Sequence, residues 1–532
     1  MKKLSIYKNF FLNLIFPALI YGSVTGVLTA VVVILYKFLA KHVINWSSKG
    51  YLFVNEHLYI LPLCIIAVFG LSFIFAYVYK KVPNVRGGGI PTSIGILRGI
   101  ITFRWLRALI GTFLLSMVTF LVGVPLGNEG PSVQMGTAIG RGSVYTFTKK
   151  NKAWDRYSMT GGACAGFSVA TGAPVSGIMF AIEEAHQRIS PMIIIVASVS
   201  VLFSRITAEL IAPIFGVSIN LFTELDLPIL QIKNIWIPLV IGILVGIFAV
   251  LFLYYYRSIY GFFNKALNKI PHSYRIFIML FLTVIFGVIS LNYISTGHHL
   301  IGELLVDSKI TIFALILILL VRSTLTLLAS SNSITGGLFL PLMALGAVLS
   351  SIIAKTLILM GLDSSYYTII LALGITACIS SMMKTPITAI IFSVEALSCY
   401  ENITYVVIVA TVSYLITELF RVESINDTVI ERRIKEINGI RKPKSVDTCI
   451  TVKRDSFAVG KQIRDIFWPN NLMVLAVKKG LKRENEIDPY GGKALLDGDV
   501  LHIRYITYDE SQTLEELYAI VGEQEKLDSK EN

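Results

Sequence analysis

Charged residues are scarce in this chain. Asp, Glu, Lys and Arg make up 15% of its 532 residues, whereas 54% are hydrophobic. Soluble domains carry about 25% charged residues, so the composition excludes an ordinary water-soluble protein for most of the chain. Apolar stretches recur instead, several of which reach the roughly 20 residues that cross a bilayer, while others are shorter. They cover residues 10–39, 59–78, 108–122, 192–211, 235–254, 276–291, 310–321, 368–379 and 404–419.

Cysteine and the common catalytic motifs are also sparse. There are five cysteines, and no two have the CxxC spacing, which argues against a disulfide framework or a zinc site. The chain contains no HExxH motif and no phosphate-binding loop. It also lacks a TVGYG potassium filter. We therefore expect no enzyme, no cofactor and no bound metal, and we consider a potassium system less consistent with the sequence.

The positive charge is concentrated in the apolar part. The net charge is +13, but residues 441–532 hold 15 basic and 16 acidic residues, so the excess lies before residue 441. Cytoplasmic loops of membrane proteins are enriched in Lys and Arg, which accounts for this excess. No basic run is interleaved with stacking aromatics, so we expect no nucleic-acid partner. The pattern predicts a multi-pass inner-membrane protein with both termini in the cytoplasm.

The predicted secondary structure changes near residue 445, from long apolar helices to short strands and turns. Residues 421–444 are rich in charge and predict a helical connector. Beyond them, residues 474–477 and 500–505 predict strands, and residues 515–521 predict a terminal helix. The tail is therefore predicted to be a small α+β domain.

The apolar part contains an internal repeat. Residues 174–183 match residues 386–395 at an offset of 212, and residues 127–136 match residues 337–346 at an offset of 210. Duplicated halves are typical of secondary transporters, which place the substrate site where the halves meet. We predict a first membrane repeat at 1–217, a second at 218–430, a connector at 431–444 and a cytoplasmic domain at 445–532.

Three segments combine glycines with a proline before an apolar run. They are 87–91 (GGGIP), 127–131 (GNEGP) and 336–341 (GGLFLP). Glycine permits close approach of the backbone, and proline is tolerated in the first turn of a helix. Helix N-termini offer unpaired N–H groups and a positive dipole end. The three segments thus predict an anion site; taken singly, each is equally consistent with a plain turn between helices.

Two glutamates are candidates for proton transfer. Glu129 lies inside the second segment, and a carboxylate at membrane depth is costly and by default functional. When ionised it would occupy the anion site; when protonated it would leave it. A surface cap is the alternative. Glu183 and Glu184 end an apolar run, but only Glu184 lacks an acidic repeat mate, so Glu184 is the favoured inner relay, whereas Glu183 shares a structural role with Glu395.

These segments, in this order and spacing, resemble the CLC family of chloride channels and chloride/proton exchangers over about residues 10–435. The family motifs are GSGIP, GxEGP and GxFxP. The resemblance implies an all-α polytopic fold with two inverted-topology repeats and broken helices, and a homodimer that exchanges chloride or a similar small anion for protons. It implies Glu129 as the external gate and Glu184 as the internal proton glutamate. The anion-binding positions would be Gly88, Gly89, Ile90, Gly130, Leu338, Phe339 and Asn426.

Three positions depart from the family pattern. Gly88 stands where a serine would coordinate chloride, and Asn426 stands where a tyrosine would close the inner gate. Each missing hydroxyl removes a hydrogen bond worth about 0.5–1.5 kcal/mol. Asn128 replaces the usual arginine. These changes leave open an exchanger selective for nitrate or fluoride, and a passive voltage- or pH-gated channel.

The tail is similar to a C-terminal RCK/TrkA-C-type domain. Residues 458–461 (AVGK) and 496–499 (LDGD) carry this likeness. It implies a regulatory domain that binds a small anionic regulator.

Overall fold

The membrane part of the chain is built almost entirely of helices. The structure, a computed structural model, describes residues 15–147, 152–222, 225–266, 269–306, 309–438, 443–478, 486–487, 492 and 494–523. The beginning of the first predicted apolar stretch, residues 10–14, lies outside these ranges.

Within the described residues, the first half contributes eight α-helices, α1–α8. Pro or Gly interrupts the apolar sequence between several of them, and some helices are long while others are too short to cross a bilayer. In chain order they are Phe16–Glu56, Leu61–Lys81, Ile90–Leu97, Trp105–Val122, Glu129–Phe147, Asp155–Thr171, Pro174–Met179 and Pro191–Ile211. A π-helix, Phe180–Ala185, continues α7 directly.

The second half repeats this order with α9–α16. Each helix has its counterpart in the first half, including short ones at the matching third and seventh places. They are Trp236–Ala266, His272–Ile289, His298–Val306, Ile312–Ser331, Phe339–Leu359, Tyr367–Met383, Pro386–Ala396 and Ile403–Leu419. The predicted boundary at 217/218 falls between the two sets, and its exact position stays a prediction. Helix α17, Ile425–Asn438, follows and spans the predicted boundary at 430/431 between the second repeat and the connector, so this boundary stays a prediction.

Ten helical segments in the described part of the chain are long and apolar enough to cross a membrane. Nine of them overlap the apolar stretches predicted from the sequence. The tenth, Phe339–Leu359, was predicted only as a helix start, because glycine, serine and proline interrupt its apolar run. The polytopic helical fold is confirmed.

Repeat-matched glycines allow neighbouring helices to touch. A Cβ on Gly136 of α5 would lie 2.0 Å from the carbonyl oxygen of Gly162 in α6, and the reverse substitution meets the same distance. Their repeat mates bring α13 against α14, where a Cβ on Gly346 would lie 2.9 Å from the oxygen of Gly374. Small residues permit such backbone contact between membrane helices.

The described residues of the C-terminal domain form a small sheet, one 3-10 helix at Ile463–Asp465 and one α-helix. Strands β1 (Lys444–Thr451), β2 (Leu472–Lys478), β3 (Glu486–Ile487) and β4 (Val500–Thr507) are ordered β1-β4-β2-β3, with antiparallel neighbours. Helix α18, Glu510–Val521, follows. Alternating side chains of β4 point into an apolar core, which explains the period-two burial of that strand. The α+β class predicted for the tail is confirmed.

Candidate anion and proton site

The three glycine–proline turns meet in space. Gly127 and Gly337 exchange two backbone hydrogen bonds, each with an N···O distance of 2.7 Å. The third turn joins them, because the N–H of Gly87 donates to the oxygen of Ser333 at 2.8 Å. The starts of α3, α5 and α13 therefore converge, although 210 residues separate two of the turns.

Glycine is required at this meeting point. A Cβ on Gly89 would lie 2.2 Å from the carbonyl oxygen of Gly130, and Gly89 has a φ of 72°. A Cβ on Gly130 would lie 2.1 Å from the oxygen of Gly88 and 2.6 Å from the Cα of Gly337. The backbones touch directly, so any side chain here would force the turns apart.

The predicted backbone donors differ in their availability. The first N–H groups of a helix have no partner within that helix, which leaves Gly130 and Phe339 in position to donate to an anion. The N–H of Ile90 instead donates to the oxygen of Gly88 at 2.8 Å. Leu338 directly precedes α13. The ring of Phe339 is buried, and its centroid lies 5.2 Å from the ring centroid of Phe167. Anion contacts of these residues stay predictions.

Glu129 lies at the junction of these helices. It is the first residue of α5, and its side chain is fully buried. The carboxylate folds back over Gly127: a Cβ added to Gly127 would lie 2.3 Å from one carboxylate oxygen of Glu129. The same added Cβ would lie 3.0 Å from the Cβ of Leu340 in α13, so the carboxylate lies near both helices. The carboxylate interacts with the backbone N–H groups of Glu129 itself and of Leu340, which belong to the first turns of α5 and α13. A buried carboxylate is costly unless polar groups face it. The first N–H groups of α5 and α13 are such groups, so the junction favours negative charge.

Glu184 lies in the π-helix that follows α7 and is 6% exposed. The side-chain amide of Asn426, on α17, donates to its carboxylate. The guanidinium of Arg98 donates to the backbone oxygen of Glu184 at 2.9 Å and pairs with Asp427 at 3.3 Å. Asn426, predicted at the anion, is therefore found against Glu184; a contact with the anion stays a prediction.

Glu183 and Glu395 cap each other's helices across the two halves. Glu395 accepts from the N–H groups of Val175 and Ser176 at 2.8 and 2.9 Å. Glu183 accepts from Ile387 and Thr388 in the same way, at 2.9 and 2.7 Å. These reciprocal N-terminal caps agree with the structural role predicted for the pair.

Sequence reasoning missed Arg98. Its Nε also donates to the oxygen of Ala185 at 3.0 Å, so one side chain holds both carbonyls that end the π-helix. The available signal was its position, directly after the apolar run 90–97 that follows the GGGIP turn. A cation next to a run of membrane residues is normally assigned to the surface, which concealed this role.

The fold and the site define a polytopic membrane protein in which helix starts from two related halves meet at a buried glutamate. The sequence model of one family, described as voltage gated chloride channel, matches residues 70–418, about two-thirds of the chain. The chain belongs to this family.

Curated relatives and solved structures agree. The H(+)/Cl(-) exchange transporter ClcA of Vibrio vulnificus is 26% identical over 432 residues, which cover 80% of this chain and 90% of the relative. ClcA of Klebsiella pneumoniae is 25% identical over 425 residues, or 78% and 89%. Among solved structures, a slow cyanobacterial Cl-/H+ antiporter superposes with a TM-score of 0.72 at 22% identity and covers 79% of this chain and 99% of its own. A CLC-type fluoride/proton antiporter gives 0.63 at 21%, with coverage of 76% and 96%.

Proposed function

We propose that this protein exchanges a small monovalent anion, chloride first, for protons across the cell's inner membrane, with both termini in the cytoplasm. The observation that carries this proposal is the buried carboxylate of Glu129, which faces backbone N–H groups of α5 and α13 at the meeting point of three helix N-termini. The relatives named as H(+)/Cl(-) exchange transporters support the same assignment.

In the proposed mechanism, Glu129 and the anion compete for one place. The ionised carboxylate occupies the positive ends of α5 and α13, which attract negative charge. Protonation removes its charge, so the side chain leaves and an anion takes its place. The backbone N–H groups carry only partial charges, which permits the anion to be released again. Each protonation of Glu129 thus couples the movement of one proton to the movement of the anions that enter the vacated site.

Glu184 is proposed as the inner end of the proton path. It is buried and lies at the far end of a helix, next to the charged connector α17. Asn426 orients its carboxylate by a hydrogen bond. Intramembrane acids with polar partners are typical of proton relays. A passive anion channel would not need this second glutamate, and that argues for exchange.

The homodimer, the type of the C-terminal domain and its small anionic regulator are further parts of the proposal. The segments 458–461 and 496–499, which suggest a TrkA-C-type domain, lie near each other. The N–H of Gly460 donates to the oxygen of Leu495, the residue directly before the second segment, at 2.8 Å, and the N–H of Leu495 donates to the oxygen of Lys461 at 2.9 Å. This adjacency supports a shared role for the two segments.

The decisive experiment measures anion and proton fluxes from vesicles that contain purified protein. Glu129→Ala should keep chloride flux and abolish chloride-driven proton movement, because the site remains but the proton carrier is gone. Glu184→Gln should likewise lose proton movement while chloride passes. The matched control is Glu303→Ala, which changes an exposed acid in α11 and should leave both fluxes intact. Coupled proton transport by the Glu129 variant would refute the gate.

Selectivity needs a separate measurement, because Gly88 and Asn426 replace hydroxyl donors. Efflux of chloride, nitrate and fluoride should be compared side by side in the same vesicles. Preference for nitrate or fluoride would change the substrate but keep the exchange mechanism. Anion flux without any proton movement in the unmodified protein would instead identify a channel.

A further inference from the structure

The C-terminal domain contacts the membrane part at the end of the helix that carries Glu184. A loop of the domain, residues 465–468, hereafter the docking loop, lies against a turn of the membrane part, residues 186–190, hereafter the relay turn. The ring of Phe467 in the docking loop is 5% exposed. Its centroid lies 4.5 Å from that of His186, and the guanidinium of Arg188 lies over it at 4.7 Å.

Helix α6 provides the other wall of the Phe467 site. The ring of Tyr157 lies 4.3 Å from that of Phe467, and the Tyr157 hydroxyl accepts from the N–H of Phe467 at 3.2 Å. The same hydroxyl donates to the backbone oxygen of Asp465. Phe467 is thus enclosed between α6 and the relay turn, and both its ring and its backbone are held.

The relay turn connects this site to Glu184 through backbone contacts. The N–H of His186 donates to the oxygen of Ala181 at 3.1 Å, and that of Arg188 donates to the oxygen of Ile182 at 3.2 Å. Both acceptors belong to the π-helix of Glu184. π-Helices occur as short insertions, frequently at functional sites.

The relay turn also contains a strained backbone. Gln187 has a φ of 51°, in the left-handed region that non-glycine residues rarely adopt. Such a conformation persists where its surroundings determine it. Phe467 packs on both residues that flank Gln187, so the docked domain supplies part of those surroundings.

A second route leads from Glu184 toward the domain. Asn426, which donates to the Glu184 carboxylate, lies on α17, and the chain continues from α17 to β1. Glu184 is therefore held on its backbone side by the relay turn and on its carboxylate side by the helix that precedes the domain.

We propose that Phe467 is a positioning residue for proton transfer: the docked C-terminal domain holds the relay turn, and through it Glu184, in the geometry that transfers protons. This inference rests on the proposed role of Glu184. A cavity of about 370 Å³ opens beside Phe467, bounded also by Gly99, Met159 and Ile520, so the ring has space to leave its place. Displacement of the docking loop would then lower proton transfer without closing the anion path.

The test uses the full chain in vesicles and records chloride and proton fluxes together. Phe467→Ala should reduce proton flux roughly tenfold, within the hundredfold that a misplacement of about 1 Å can cost, while chloride flux changes by less than about twofold. Phe467→Trp should restore most of the coupling, because it keeps the ring contacts. If the alanine variant does not purify as a folded protein, Phe467→Leu replaces it, since leucine keeps apolar volume but loses the ring stacking.

The matched control is Phe457→Ala. Phe457 belongs to the same interface and packs on Trp154 and Tyr157 at 5.8 and 5.9 Å. Its ring also lies 3.7 Å from the ammonium of Lys461 within the C-terminal domain. Phe457 differs from Phe467 in that, within the described residues, its ring pairs with aromatic rings of α6 and the turn before it and with none of the relay turn. Normal coupling in this variant supports the proposal. Equal losses in both variants, or an unchanged proton-to-chloride ratio in Phe467→Ala, would overturn it.

A double variant separates this inference from the function on which it rests. If Phe467 acts through Glu184, adding Phe467→Ala to Glu184→Gln should cause no further change in either flux. An additional loss of chloride flux in the double variant would indicate a general structural defect and refute the positioning role. Normal proton flux in Glu184→Gln alone would refute the inner relay itself, whatever Phe467 does.

Discussion

The close contact of the three turns gives a sharp prediction for Gly130→Ala. An alanine Cβ would lie 2.1 Å from the oxygen of Gly88, so the turns must separate by about 1.3 Å to reach the 3.4 Å of ordinary contact. That displacement is enough to break one N–H hydrogen bond to the proposed anion. A hydrogen bond to a charged group is worth about 1.5–3 kcal/mol, so anion affinity should fall roughly 10- to 150-fold.

Isothermal titration of chloride into the purified protein measures this affinity, and vesicle efflux measures the flux. The matched control is Gly70→Ala, since nothing lies within 4 Å of a Cβ at that helical position. This control should bind chloride as the unmodified protein does. Unchanged chloride affinity in a folded Gly130→Ala variant would refute the argument that the three helix starts form the anion site.

Two further predictions concern stability. Glu183→Ala removes the acceptor of the N–H groups of Ile387 and Thr388, so the apparent melting temperature in detergent should fall by an amount corresponding to about 1–2 kcal/mol. The control Glu401→Ala changes an exposed acid and should leave the melting temperature unchanged. Equal melting temperatures for the two variants would contradict the capping role of Glu183. In the C-terminal domain, burial lowers the pKa of Lys461 to about 8 from its usual 10.5. The folded domain then binds fewer protons than the unfolded chain between about pH 8 and 10.5, so its stability rises with pH there. Lys461→Met should therefore stabilise the domain at pH 7, and thermal melts should show that this gain shrinks towards pH 10; a gain independent of pH would contradict the burial argument.

Much of the fold could be predicted from the sequence because membrane helices leave a local signal. A long apolar run has to be helical in a bilayer, where unpaired backbone groups find no water. The internal repeat could also be recognised from the sequence, since residues 174–183 and 386–395 retain matching residue types. The helix Phe339–Leu359 was harder to recognise as a span, because glycine, serine and proline interrupt its apolar character.

The candidate site was predictable in its parts and not in its arrangement. Glycine, proline and a lone glutamate identified the turns, because each residue type has a specific conformational or electrostatic use. The contact between Gly127 and Gly337, however, joins residues 210 positions apart. No local property of the chain specifies such a pairing.

The sequence by itself determined the membrane setting, the duplicated halves and the three helix starts, since composition and local periodicity fix them. The tertiary structure decided which groups face one another. It placed Asn426 against Glu184, paired Glu183 with the helix N-terminus of the other half, and enclosed Phe467 between α6 and the relay turn. These contacts depend on how whole helices pack, and packing is a property of shape and distance that residue types along the chain do not record.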